Sequence, residues 1–79
     1  MTTTQTEAIQ PTSSTVRRIL TTAGIEVGLV GTVNSCGHKW IRASFHPDDS
    51  TAADGALREE FPDRIVVGYR GEVRVRVTP

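Results

Sequence analysis

Near the end of the chain Val73, Val75 and Val77 alternate with Glu72, Arg74 and Arg76. A period of two, β-branched on one side and charged on the other, predicts a strand with one buried and one solvated face. Ile65-Val66-Val67 reads as its hairpin partner, with Tyr69-Arg70-Gly71 between them as the connection. A two-residue loop, Arg70-Gly71, sets Val67 against Arg74 and Ile65 against Arg76. A three-residue loop sets Val67 against Val73 and Ile65 against Val75, with Gly71 at the left-handed closing position. Matching apolar residues to apolar residues selects the longer loop.

Upstream, Val16, Ile19, Leu20 and Ala23 recur at the spacing of an amphipathic helix. Ser13, Ser14 or Thr15 is its expected N-cap, Gly24 its stop, and Ile25 the residue that folds back on the last turn. Arg17 and Arg18 fall near the helix start, the unfavourable end of the macrodipole. Val27 to Val33 and His38 to Phe45 form a second predicted hairpin. With Ser35-Cys36-Gly37 as its loop, Leu29 faces Ala43, Val27 faces Phe45 and Gly31 faces Ile41 on the inner side. His46-Pro47 stops that hairpin, and Asp49, Ser50 or Thr51 caps a second helix whose apolar stripe is Ala53, Ala56, Leu57 and Phe61. Pro62 ends it. Gly55, inside this helix, either weakens it or permits close packing on the sheet.

The order helix, hairpin, helix, hairpin predicts an α+β fold, α-β-β-α-β-β, with a four-stranded antiparallel sheet and both helices on one face. Each amphipathic helix needs the valine side of the sheet, so the other side stays open. Both loops end x-x-Gly, which suggests two matched αββ halves. The order in which the hairpins join is not encoded in the pattern. Residues 1–12, polar and without periodicity, are expected to be a flexible, disordered tail, and residues 13–79 a single domain.

Composition narrows the function. At 79 residues there is room for one core only. Nine basic and nine acidic residues give a net charge of zero, so nucleic-acid binding would need a local basic patch rather than a general surplus. The acidic residues gather around the second helix, as Asp48, Asp49, Asp54, Glu59, Glu60 and Asp63, while the arginines favour the hairpins. Cys36 is the sole cysteine, which excludes an internal disulfide. No apolar run approaches the length of a membrane span, and the expectation is a cytoplasmic protein. All basic residues except Lys39 are arginine. In size, arginine bias and polar leader the chain resembles small accessory proteins of bacteriophages and mobile elements of GC-rich bacteria.

The candidate chemistry lies on the open sheet face. The registers above place Trp40, Arg42, Arg74 and Arg76 there together, with Val30, Thr32, Ser44 and Val66 between them and Tyr69 in the adjoining loop. Trp and Arg combine large contact area with directed donors and are enriched at the energetic centres of protein interfaces. The expected function is therefore a small non-enzymatic interaction module. Trp40, Arg42, Arg74, Arg76 and Tyr69 would bind a partner protein with an acidic surface, the chain being a monomer or an edge-paired homodimer. The alternative use of the same face is nucleic acid, with Trp40 as a stacking platform. The bland reading packs Trp40 beneath an arginine, or beneath the N-terminal tail, as part of a minor second core.

Other chemistries fare worse. Cys36, His38 and His46 suggest metal, yet His38 and His46 sit at opposite ends of one strand, about 26 Å apart. Ser44, His46 and Glu26 superficially make a nucleophile, base and acid, but a flat sheet end supplies no oxyanion pocket. No glycine-rich phosphate loop, HExxH or CxxC occurs. No cofactor is expected.

Overall fold

A computed structural model describes residues 10–78 of the chain. The elements are α1 (Ser13–Thr22), β1 (Val27–Ser35), β2 (His38–Phe45), α2 (Ser50–Glu60), β3 (Val66–Tyr69) and β4 (Glu72–Arg76), with a 3-10 turn at Pro47–Asp49 leading into α2. The α-β-β-α-β-β order, the four-stranded antiparallel sheet and the two covering helices are as the periodicities predict. The strand order is β1-β2-β4-β3, which places β2 and β4 at the centre and β1 and β3 at the edges. Helix α1 lies over β1 and β2, and α2 over β3 and β4. Among the described residues no helix is long and apolar enough to cross a membrane.

The core is the dry space between that sheet and its helices. Val16 and Leu20 from α1, Leu57 from α2, and Ala43 and Val75 from the central strands are fully buried, while no described polar or charged residue is. Helix α1 ends as its sequence predicts. Gly24 is left-handed at φ 85°. Ile25 N–H donates to the Leu20 carbonyl and Gly24 N–H to that of Thr21, the double bond of a Schellman motif, and Ile25 is buried. Its start differs from expectation. Thr12 is the N-cap, accepting from the Thr15 N–H at 3.1 Å, and Pro11 is buried. The expected leader thus loses residues 11 and 12 to the fold, and its first nine residues lie outside the described ones.

Both hairpin loops are one residue shorter than the apolar pairing suggests. In the second hairpin Tyr69 pairs with Glu72 and Val67 with Arg74, so the loop is Arg70-Gly71. The inward residues of β3 are Val66, which is 5 % exposed, and Gly68. Helix α2 passes so close that a Cβ on residue 68 would meet the Asp54 carboxylate at 2.9 Å. A glycine on the helix side of the sheet contributes nothing to a count of apolar residues, and that count therefore favoured the wrong register. Ile65 lies before the strand and is 47 % exposed.

In the first hairpin Ser35 pairs with His38, leaving Cys36-Gly37 as the loop. Both residues have positive φ, 54° and 78°, the signature of a type I′ turn. From that turn the ladder sets Thr32 against Ile41 and Val30 against Ala43, until a bulge between Val27 and Val30 restores the expected pairing of Val27 with Phe45. Ser44 Oγ accepts the Leu29 N–H at 2.9 Å inside that bulge. Leu29, expected to face Ala43 in the core, is instead 74 % exposed.

Candidate functional site

The open face is centred on the pairing of β2 with β4, where Ile41 opposes Val75 on the inner side. The outward residues flanking that pair are Trp40 opposite Arg76 and Arg42 opposite Arg74. Four of the five residues singled out from the sequence are thus direct neighbours. The offset that carries Gly37 onto Gly71 also carries Trp40 onto Arg74, Ile41 onto Val75 and Arg42 onto Arg76. The candidate site straddles an approximate two-fold relation between the two αββ halves, and each half supplies equivalent positions.

The edge strands contribute other residues than expected. Because of the shorter loops, Val30, Thr32 and Val66 have inward parity, while Gly31, Val33 and Val67 face outward beside Arg42, Trp40 and Arg74. Tyr69 was expected in a loop; it is the last residue of β3, opposite Glu72 on the open face. Reading Arg70-Gly71 as the turn would have found it. Slips in β1 and β3 leave Trp40, Arg42, Arg74 and Arg76 together because these four belong to the central strands, whose inward residues Ile41, Ala43, Val73 and Val75 are all buried.

Most of the polar groups are held locally. Trp40 is half-buried, and its indole N–H donates to the Ser35 carbonyl at 3.2 Å. Arg74 Nε donates to Glu72 Oε2 at 2.7 Å, and its guanidinium carbon lies 5.4 Å from the centre of the Tyr69 ring, a cation–π distance. The Glu72 hydrogen bond pushes the Arg74 pKa up from an already high value, so this cation keeps its charge at any physiological pH. Arg76 Nε donates to the Thr78 carbonyl at 2.9 Å. Arg42 has no hydrogen-bond or ion-pair partner among the described residues, although it sits directly opposite Arg74. Like charges opposed across a ladder repel. Among the described residues, three guanidinium groups and one carboxylate therefore share this face.

The other candidate chemistries meet specific geometry. The cleft lined by Glu26, Ser44 and His46 has a volume of about 460 Å³ and opens to solvent. Ser44 Oγ is engaged with the Leu29 backbone, and His46 Nδ1 accepts the Asp48 N–H at 3.1 Å. Serine and histidine thus each serve the backbone and make no hydrogen bond to one another. Among the described residues no three His, Cys, Asp or Glu side chains converge, and His38 opens β2 while His46 follows its last residue. Cys36 is exposed at its turn.

No family model, curated protein or solved structure matches the chain.

Proposed function

We propose that this chain is a small, non-enzymatic interaction module that binds an acidic surface of a partner protein through its open sheet face. Trp40, Val33 and Val67 supply apolar contact area, and Arg42 supplies the directed charge. The observation that carries the reading is the direct opposition of Arg42 and Arg74 with, among the described residues, only Glu72 to balance them. Such an arrangement is unfavourable in the isolated chain and is relieved when a carboxylate docks between the two cations. Arg74, Arg76 and Trp40 already have fixed hydrogen bonds, which lowers the entropy lost on binding.

A stacking surface for nucleic acid fits this face less well. Trp40 and Tyr69 lie two strands and four residues apart, roughly 16 Å, too far to stack neighbouring bases. The acidic residues of α2 add nothing that attracts phosphate.

The test compares the wild-type protein with Arg42→Glu as bait. A partner of acidic surface retained by the first and lost by the second, with unchanged circular dichroism, supports the reading. Capture indifferent to the substitution removes it. Binding to single-stranded oligonucleotides that falls steeply between two salt concentrations replaces the protein partner with nucleic acid.

A further inference from the structure

The two edges of the sheet are treated differently by the rest of the chain. In a two-residue hairpin the pair closing the turn is hydrogen-bonded, and alternate residues then turn their backbone groups away from the partner strand. On β3 the outward groups belong to Val66 and Gly68. Arg58 Nη2 donates to the Val66 carbonyl at 2.8 Å, and the Asp54 carboxylate, paired to Arg58, stands over Gly68. This edge is short and covered by an ion pair, a usual protection against strand addition.

On β1 the outward groups belong to Val30, Thr32 and Asn34. None of them receives a hydrogen bond from another element among the described residues. Arg17 reaches this edge only at its beginning, Nη2 lying 3.4 Å from the Gly28 carbonyl. From Val27 to Ser35 the strand carries no charge and no proline. Leu29 is 74 % exposed. Gly31 is unexplained within the chain, since its φ is not positive and a Cβ there would meet nothing within 4 Å. A strand-interior glycine often marks a bulge or the close approach of another backbone, and Gly31 lies beyond the bulge between Val27 and Val30.

We propose that β1 pairs antiparallel with β1 of a second copy of this chain, about a two-fold axis at Thr32, to make one continuous eight-stranded sheet. In this register Thr32 meets its own copy, Val30 meets Asn34, and Gly31 meets Val33. Every outward backbone group of the segment finds a partner, about six hydrogen bonds in all. No charge faces a charge, which is what makes the strand compatible with itself. Gly31 leaves space for the β-branched Val33 of the other copy, and Leu29 comes to lie opposite Ser35 and diagonal to Val33, covering the most exposed large apolar side chain. Arg17 at the Gly28 carbonyl sets the limit of the paired segment. The interface is independent of what the open face binds. It does double that face, placing two Trp40–Arg42 rows about 14 Å apart on one surface, three strand spacings across the seam.

The mass of the full chain in solution, followed by light scattering or sedimentation over a wide concentration range, tests the pairing. The wild-type protein is expected to reach the mass of two chains. Thr32→Pro removes an outward N–H while sparing the bonds to β2, and is expected to lose the dimer with its circular dichroism unchanged. Thr32→Lys and Thr32→Glu, each opposing its own charge at the axis, are expected to weaken association severalfold, and an equimolar mixture of the two to restore it. This charge exchange decides the matter if the proline variant fails to fold. A wild-type chain that stays single at the highest concentration overturns the proposal and leaves the edge to a foreign strand. A dimer that survives all three substitutions overturns it equally, because another surface then holds the copies together.

Discussion

The inner and outer faces of the sheet are built from the same strands on different principles. On β4, Val73 and Val75 are 1 % and 0 % exposed, while Glu72, Arg74 and Arg76 between them are only partly covered. The inner face is held by mutual packing of similar aliphatic groups, so each member depends on all its neighbours. On the outer face the polar groups other than Arg42 are tied to local partners: Trp40 to Ser35, Arg74 to Glu72, Arg76 to Thr78. Removing one outer residue therefore disturbs one contact, whereas removing one inner residue opens a cavity shared by both helices. Stability resides on one side and recognition, as proposed, on the other.

Substitutions can break that division. Leu57→Ala, at a fully buried position of α2, should cost about 2–5 kcal/mol, seen as a fall in the urea midpoint. For a domain this small, such a loss would leave much of the population unfolded. Trp40→Ala removes a larger side chain that is only half-buried and should cost about 1–2 kcal/mol. A cost as great as that of Leu57→Ala would make the outer face a second core and withdraw Trp40 from recognition. Gly55→Ala serves as a calibration away from both faces. A Cβ there meets nothing within 4 Å, so the substitution should add about 0.5–1 kcal/mol to unfolding stability. No gain in thermal midpoint would show that α2 is already held by packing alone. Arg42→Glu has the smallest expected effect on folding and the sharpest meaning. Relief of the Arg42–Arg74 opposition should stabilise the fold by about 0.2–1 kcal/mol while abolishing partner capture. Opposite signs in the two measurements are the expected result. If stability and binding fall together, the division between faces fails.

The same division marks how far the fold was legible in the sequence. The inward set of the central strands follows from alternation because Ile41, Ala43, Phe45 and Val73, Val75, Val77 leave no rival phase. Both helices follow as elements, α1 down to its glycine stop and the returning Ile25, though not to its cap at Thr12. The edge strands do not. On β3 a glycine takes an inward position because α2 needs the space, and on β1 a bulge lets Val27 and Val30 both turn inward. In each case the apolar count points one residue away from the true register. Tyr69 and Val67 were accordingly missed as outward neighbours of Arg74. Trp40, Arg42, Arg74 and Arg76 were found together because they share strands with the strongest inner residues.

Local chemistry along the chain was enough to determine the element order, the glycine stop of α1, the buried sides of β2 and β4, and hence which side chains point away from the helices. Tertiary structure alone decided that β2 lies against β4, setting Arg42 opposite Arg74 and leaving β1 at an open edge. Periodicity records which side of a strand is dry. Strand order depends on how two helices share one apolar surface, and hairpins with similar valine-rich inner sides carry no local mark of it.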